Sequence, residues 1–329
     1  MRPLELIPPI KDYIWGGTKL RDDFGKKSGA ERLAESWELS CHKDGLSVIS
    51  GGEYDGVTLA DFLAAHPEAM GTSCKDDRDL PVLIKLIDAK DDLSVQVHPD
   101  NDYALTHEGE FGKTEMWYIV DCEPDAELIY GFREKISREE FRRGIEDNTL
   151  LDLVNRVKVK KGDVFFIKSG TLHAIGKGIL IAEIQQNSNT TYRVYDYGRL
   201  GVDGKPRELH IEKALDVTRT EPAAVQENYP VIRLSGGSYE GTSVRVLADC
   251  EYFTSSLVEL KDSEFTAEIE DTSFRHMLVI EGSGELVHEG SVYPLKKGSS
   301  WFIPAGSGLV TVRGKCSVIN TEIIETEEI

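Results

Sequence analysis

Four residues carry side chains from which a divalent-metal site could be built: Gln96, His98, Glu115 and His173. Gln96 and His98 stand two residues apart in Leu93-Ser-Val-Gln-Val-His98-Pro99. On a strand that spacing puts both on one face and Val95 and Val97 on the other. A ligand-capable face opposite a valine face is what a barrel lining requires, although a lone histidine on a strand is more often structural. Glu115 opens the apolar run Met116–Val120, where an acid is usually a solvated turn residue, and His173 follows a Gly-rich turn. Two imidazoles, one carboxylate and one amide oxygen suit a borderline divalent ion, most often zinc. With no thiolate in the set, an open catalytic site fits better than a closed structural one. A single carboxylate leaves the ion net positive and able to polarise substrate oxygens.

A second stretch is unlike a core strand. Ile181-Ala-Glu183-Ile-Gln-Gln-Asn-Ser-Asn-Thr-Thr-Tyr192-Arg193-Val-Tyr195-Asp196-Tyr197-Gly198-Arg199 begins apolar and ends polar, aromatic and basic. It reads either as an exposed loop with cation–aromatic contacts or as a pocket wall carrying an arginine.

The elements that must position these residues are mostly short strands between Gly, Asp and Asn turns. Leu93–His98, Met116–Val120, Val164–Ile167, Ile179–Ile184, Met277–Ile280 and Trp301–Ile303 are examples. The pattern predicts a mainly β fold, sandwich or barrel, rather than alternating βα units. Helices are expected after Thr58, after Ser137, where Glu140 completes a capping box, and over Leu209–Val217.

The sequence also repeats itself. Val159-Lys-Lys-Gly162-Asp-Val-Phe-Phe-Ile-Lys168-Ser-Gly170-Thr-Leu-His173 matches Leu295-Lys-Lys-Gly298-Ser-Ser-Trp-Phe-Ile-Pro304-Ala-Gly306-Ser-Gly-Leu309, an offset of 136 residues from Val159 to Leu295. Upstream, Trp117–Val120 matches Met277–Ile280 at an offset of 160. The 24-residue difference is about the length of the helical stretch between Arg133 and Asn155. The repeat G-x5-P-x-G-x2-H is similar to the second motif of the cupin superfamily. The first copy has Lys168 in the Pro slot, and the second has Leu309 in the His slot. Two jelly-roll-like cupin units are therefore expected. Residues 1–220 form a catalytic zinc unit with a helical insertion at about 133–155, and residues 225–329 a degenerate unit without ligands. At offset 160, Arg275 takes the place of Glu115, Ser256 that of Gln96 and Val258 that of His98. The competing arrangement is a second site at His276 and His288 with Glu281 or Glu285.

Composition narrows the class. The 329 residues are 40% hydrophobic and 29% charged, with 38 Lys and Arg against 58 Asp and Glu, a net charge of −20. Such acidity argues against nucleic acid or an anionic membrane as partner. The five cysteines form no C-x-x-C pair, so neither a disulfide framework nor a thiolate zinc knuckle is expected. The opening residues MRPLELIPPIKDY lack a charged region followed by an apolar run, so no signal peptide is expected, and no apolar run is long enough to span a bilayer. A cytoplasmic protein is the expectation.

The segments SVQVHPD, GKTEMWYIV, SGTLHAIGKG and AEIQQNSNTTYRVYDYGR strongly resemble type I mannose-6-phosphate isomerases of the shorter bacterial kind. Ile14-Trp15-Gly16-Gly17-Thr18 and Glu35-Ser36-Trp37-Glu38 are similar to that family as well. The resemblance runs from about residue 10 to 217, with the degenerate unit filling the remainder. It implies one zinc ion per chain at His98, Glu115 and His173, with Gln96 as fourth protein ligand, and catalysis at Arg193. It also implies interconversion of mannose 6-phosphate and fructose 6-phosphate through an enediol. Arg193 suits enediolate stabilisation or phosphate positioning better than proton abstraction. Glu183, Asp196 and a zinc-bound water remain open as the base. Lys113, Ser94 and Lys85 are candidates for phosphate or hydroxyl contacts, Lys85 being nearly as readily a turn or edge lysine. The alternatives are a cupin metalloenzyme acting on another sugar phosphate and a sugar-binding cupin without turnover. Oligomeric state is left open.

Overall fold

Alternation along each strand decides what each sheet covers. The computed structural model describes residues 1–74, 79–201, 204–224, 229–234 and 237–324. Among these, strands form sheets of six, five and ten members, a mainly β fold. The six-stranded sheet runs through Val164–Ile167, Glu115–Cys122, Ile179–Gln186, Val82–Ala89, Glu35–Leu39 and Ile10–Lys11. The five-stranded sheet runs through Tyr192–Tyr195, Val95–Val97, His173–Ala174, Glu127–Phe132 and Val154–Lys158.

The six-stranded sheet is the middle layer, buried on both faces. Met116, Tyr118 and Val120 turn to one core cluster, Trp117 and Ile119 to another. Ile84 and Leu86 oppose Ile87 in the same way, as Leu180, Ala182 and Ile184 oppose Ile179 and Ile181. The first cluster is shared with Leu4, Leu278, Phe302 and Ile319 of the ten-stranded sheet and with Phe274, just before its strand Arg275–His288. On the other face the apolar series is interrupted by Lys85, Glu115, Glu183 and Gln185, all buried. Burying such groups is costly unless they are paired or hold a ligand, so the interruption marks where a site belongs. The five-stranded sheet faces it. That sheet's far side carries Val95, Val97, Tyr192 and Val194, as the alternation predicts, and packs on Phe141, Ile145, Ala214 and Leu215 of two helices.

In the ten-stranded sheet, Arg275–His288 and Gly308–Glu322 are long strands curling around a separate core that includes Leu286, Leu295, Trp301 and Val310. N-terminal residues complete this sheet. Leu4–Ile7 pairs with Ser300–Ile303 on one side and Val48–Ser50 on the other.

The internal repeat holds rung by rung. Ile167, Phe166, Phe165 and Val164 pair with Glu115, Met116, Trp117 and Tyr118. Ile303, Phe302, Trp301 and Ser300 pair with Arg275, His276, Met277 and Leu278. The Lys-Lys-Gly turns close alike: the Gly162 N–H donates to Ile119 O and the Gly298 N–H to Val279 O, both at 2.8 Å. Offset 160 fails further upstream, however. His173 pairs with Gln96, whereas Leu309 pairs with Glu268. The Gly170 N–H donates to His98 O, whereas the Gly306 N–H donates to Glu270 O, each at 2.8 Å. The counterparts of Gln96 and His98 are therefore Glu268 and Glu270, an offset of 172, and not Ser256 and Val258. The twelve-residue slip arises because His98 and Glu115 are 17 residues apart and Glu270 and Arg275 only five.

That longer gap holds a helix, Asn101–His107, that the sequence reading did not include. Asp100 caps it by accepting from the Tyr103 N–H, and its only buried residue is Ala104, too thin an apolar stripe to announce a helix. The expected helices form at Leu59–Ala65, capped by Thr58, at Arg138–Glu146, with the full Ser137–Glu140 capping box, and at Ile211–Val217.

Candidate metal centre and active-site cleft

One ladder row of the five-stranded sheet sets three expected residues side by side. Gln96 pairs with His173 on one strand and with Arg193 on the other, so neighbours in the row stand about 4.8 Å apart across the ladder. Across the cleft, Glu183 pairs with Lys85 and Trp117 in one row of the six-stranded sheet, and Glu115 pairs with Gln185 in the next.

His98, Glu115 and His173 each bring one ligand atom to within 4.8 Å of the others, and all three are buried. Their hydrogen bonds show which atoms are available. His98 Nδ1 lies 2.9 Å from Thr190 O, and His173 Nδ1 lies 2.8 Å from Thr171 O. A carbonyl only accepts, so each Nδ1 carries the proton and each Nε2 presents a lone pair. Those Nε2 atoms stand 3.6 and 3.4 Å from the Glu115 carboxylate oxygens. His98 Nε2 and Glu115 Oε1 are buried with no hydrogen-bond partner, a rare condition that a shared cation relieves. Burial holds the His98 pKa well below its ordinary value and lowers that of His173 to about 4, so both rings are neutral and ligand-competent near pH 7. The Gln96 amide reaches to 3.5 Å from His173 Nε2. Turned with its oxygen inward, it adds a fourth donor. These residues fit a divalent ion.

The competing arrangement in the second unit does not assemble. His276 Nε2 meets Ser300 Oγ at 2.9 Å, and His288 Nε2 meets Ser307 O at 2.8 Å. Glu281 pairs with Lys161, and Glu285 with Arg313.

Beside the centre lies a network of buried charge. Lys113 Nζ stands 2.8 Å from Glu115 Oε2 and 3.7 Å from Glu183 Oε1. Lys85 Nζ stands 3.3 Å from Glu183 and 3.9 Å from Glu35. Lys85 is thus neither a turn nor an edge residue; it sits mid-strand and buried. Burial opposes the Lys113 charge, but Glu115 and Glu183 overcome it and push its pKa up to about 12. Burial, with Glu183 nearby, raises Glu115 to about 7. Burial also works against the Glu183 charge, yet Lys113 and Lys85 hold its pKa below the ordinary value. Two tryptophans aim the carboxylates: Trp117 Nε1–H donates to Glu183 at 2.8 Å and Trp37 Nε1–H to Glu35 at 2.6 Å.

A cavity of about 290 Å³ opens over this network, with Gln96, Lys113, Lys85 and Glu183 among its lining. Ser94, Arg193 and Arg207 line it too, together with Tyr13 and Trp15. The lysines and Glu183 are buried and the two arginines only partly so, which places the arginines toward the mouth. Arg193 Nε donates to Ser94 Oγ at 3.2 Å and Nη1 to Glu208 O at 3.1 Å. Asp196 is not among the lining residues. Its carboxylate accepts from Arg207 and Arg199, which keep its pKa low although burial opposes them.

Sequence reasoning assigned no role to Glu35, Trp37, Trp117 or Arg207. For the first three a signal was present: charged and indole side chains recur at every second position of Glu35–Trp37 and Glu115–Trp117, each at the start of a buried strand. Arg207 gave no such signal, because a loop brings it to the cavity and no strand does.

With this geometry in place, comparison with known proteins is direct. The family model for the phosphomannose isomerase type I catalytic domain matches residues 4–121, and that for the mannose-6-phosphate isomerase cupin domain matches residues 243–323. The probable mannose-6-phosphate isomerase GmuF of Bacillus subtilis is 43% identical, covering 95% of this chain and 97% of its own. The mannose-6-phosphate isomerase of Streptococcus mutans is 41% identical, with 92% of each chain covered. The crystal structure of mannose 6-phosphate isomerase from Bacillus subtilis superposes with a TM-score of 0.90 at 40% identity, over 98% of this chain and 100% of that one. The apo form from Salmonella typhimurium, at 19% identity and a TM-score of 0.76, shares the fold over 99% of this chain and 100% of that one.

Proposed function

This chain belongs to the type I phosphomannose isomerase family, and we propose that it interconverts mannose 6-phosphate and fructose 6-phosphate by moving a proton between C1 and C2 through an enediol. The observation that carries the reading is the convergence of two histidine lone pairs on a buried carboxylate whose Oε1 has no hydrogen-bond partner, beside a cavity lined by both lysines and arginines. His98, Glu115 and His173, with Gln96, would hold one zinc ion per chain. Bound there, zinc supplies a Lewis acid that polarises the sugar oxygens.

The other steps fall to side chains. Glu183 is the best-placed base. It lines the cavity, its Oε1 has no hydrogen-bond partner, and Lys85 and Lys113 keep it ionised. A carboxylate so placed can take the C2 proton and return it to C1. Asp196 is a poorer base because two guanidinium groups already occupy it. Lys113 and Lys85 contribute fixed positive charge next to the developing enediolate. Arg193, one ladder position from Gln96, brings a permanent charge to the same oxygens, with Ser94 fixing its fork. We assign catalysis to residues 1–220 and a supporting role without metal to residues 225–329. That boundary abuts residues 225–228, which lie outside the described ones. Among the described residues no helix is long and apolar enough to cross a membrane, and with the net charge of −20 the reading is of a cytoplasmic enzyme whose partner is a sugar phosphate.

Fructose 6-phosphate formation from mannose 6-phosphate, with glucose 6-phosphate as control, tests this reading. Turnover of mannose 6-phosphate that disappears on chelation and returns with zinc is expected. Turnover by protein verified as metal-free overturns the zinc assignment.

A further inference from the structure

The two histidines of the metal centre are aimed in different ways. His173 Nδ1 donates at 2.8 Å to Thr171 O, two residues back in its own Gly-rich turn. His98 Nδ1 donates at 2.9 Å to Thr190 O, 92 residues further along the chain. The first carbonyl is fixed by the turn that carries the ligand. The second belongs to the loop between strands Ile179–Gln186 and Tyr192–Tyr195, which lie in different sheets. That loop must be fixed from elsewhere, because the carbonyl sets both the tautomer and the direction of the ring.

Two sides of the loop are held. On the inner side Gln185 Nε2 donates to Ser188 O at 2.6 Å, and Ser188 Oγ accepts from the Thr190 N–H at 3.3 Å. On the outer side the Glu110 carboxylate accepts from Thr190 Oγ1 at 3.4 Å and from the Asn189 N–H. The same carboxylate pairs with Lys43, and His42 Nε2 stands 3.8 Å from it. His42 Nδ1 accepts from the Asp44 N–H at 3.1 Å, so the ring proton is on Nε2 and faces Glu110. Asn189 Nδ2 closes the circle by donating to Asp44 Oδ2 at 2.9 Å. Buried His42 is seated edge-on against Trp37, with ring centres 5.9 Å apart. Glu110 is thus where three loops meet. It is not among the residues lining the cavity, although Asn189 and Thr191 are. Its own loop exists because His98 and Glu115 are 17 residues apart; the corresponding gap in the second unit is five.

We propose that Glu110 is a positioning residue for the metal ligand His98: it clasps the Asn189–Thr190 loop so that the Thr190 carbonyl keeps the His98 ring turned to the ion. The proposal rests on the metal-centre reading given above and not on which sugar phosphate is turned over. The clasp needs a hydrogen-bond acceptor at position 110 and not a charge. It acts on one ligand, since His173 takes its direction from its own turn.

The test is zinc affinity, measured by competition with a chromogenic chelator, together with NMR of the cobalt-loaded protein. There the ion shifts the Nδ1–H protons of its two imidazole ligands clear of the rest, and their solvent exchange can be followed separately. Glu110→Ala is expected to weaken zinc binding about tenfold, the low end for groups outside the ligands themselves. It should speed exchange of the His98 Nδ1–H several-fold and leave that of His173 unchanged. Glu110→Gln, which still offers an acceptor to Thr190 and Asn189, should stay within about threefold of wild type in zinc affinity. Thr190→Val, which deletes one of the two bonds, should fall between them. Unchanged zinc affinity in Glu110→Ala overturns the proposal. So do equal losses in Glu110→Ala and Glu110→Gln, which would make the negative charge responsible, and so does faster exchange at both histidines alike, the mark of general loosening. A wild-type protein that binds no zinc removes the metal-centre reading and the clasp with it. One that binds zinc and shows the expected differences, yet leaves mannose 6-phosphate unchanged, removes the isomerase reading and keeps the clasp.

Discussion

The two halves of the repeat share a hairpin, rung for rung, and put it to different uses. Each has two motif glycines in the left-handed region, and in each half one is crowded and one free. In the first half the crowded one is Gly170, where an added Cβ would meet Val217 O at 2.8 Å; around Gly162 there is open space. The Gly170 N–H holds the carbonyl of His98, so the tight point shapes the ligand loop. In the second half the crowded one is Gly298, where a Cβ would come within 2.4 Å of Phe24 O; around Gly306 there is open space. The Gly298 carbonyl accepts from Lys26 Nζ at 2.7 Å, so here the tight point seats the N-terminal segment. Turn geometry is thus common to both, and side-chain identity decides the chemistry. Glu115 becomes Arg275, which is paired with Glu322, and His173 becomes Leu309, 64% exposed. Gln96 and His98 become Glu268 and Glu270, both exposed. Leucine offers no lone pair, and arginine repels a cation.

Removing a ligand from the first half should have the largest effect. His173→Ala takes away an inner ligand and should cost more activity than the ~10–100-fold lost with outer-shell partners, with metal content falling in parallel. The mirror change Leu309→His should add nothing: elemental analysis is expected to give one ion per chain before and after. Two ions in Leu309→His would mean that the second half is a dormant site and not a converted one.

Next in size is the arginine pair. Arg193→Ala should lower kcat by about two powers of ten if the guanidinium stabilises developing charge, and Arg193→Lys should recover little of it. Arg275→Ala in the second half should leave kcat alone and lower the melting temperature, because Glu322 loses its partner. A raised KM with normal kcat in Arg193→Ala would make that residue a binding group only.

How far the sequence carried this contrast depends on whether a signal was local. The Gln96–His98 spacing and the Gly-rich turn before His173 are local, so three candidate ligand positions were legible. So were the two hairpins, because the Lys-Lys-Gly turn fixes their register. Glu115 was ambiguous, since nothing nearby shows that the strand it opens is covered on both faces. The upstream alignment failed at the helix Asn101–His107, an insertion that shifts the frame by twelve residues and leaves only Ala104 buried to betray it. Arg207 was out of reach altogether, because it reaches the cavity from outside any strand, where no alternation marks a facing side chain.

The glycines supply a smaller test. Alanine at either Gly170 or Gly306 meets a left-handed backbone, at φ +83° and +71°, which costs about 1–2 kcal/mol. Only Gly170→Ala also collides with main chain. It should therefore lower the melting temperature more than Gly306→Ala, and it alone should weaken metal affinity, because it displaces the His98 carbonyl. Equal losses in both variants would show that the ligand loop tolerates the shift.

The smallest effect concerns His276, which occupies the rung that Met116 holds in the first half. Both face the layer between the sheets. His276 is fully buried there, and burial, with Lys26 nearby, lowers its pKa to about 3. In the unfolded chain the ordinary value of about 6.5 returns. Between those values the unfolded state binds more protons than the folded one, so stability declines as the pH falls below 6.5. At pH 5 the loss from this one ring is about 2 kcal/mol relative to pH 7. His276→Met copies the first half and removes that dependence. It also removes the bond to Ser300 Oγ, which costs about 1 kcal/mol, while Ser300 keeps its own donation to Glu38 O. The variant should therefore be the less stable protein at pH 7 and the more stable one at pH 5. Urea unfolding of both metal-loaded proteins at the two pH values measures the crossing, and the histidines common to both cancel in the difference. Parallel stability curves would show that His276 takes up its proton without leaving the fold.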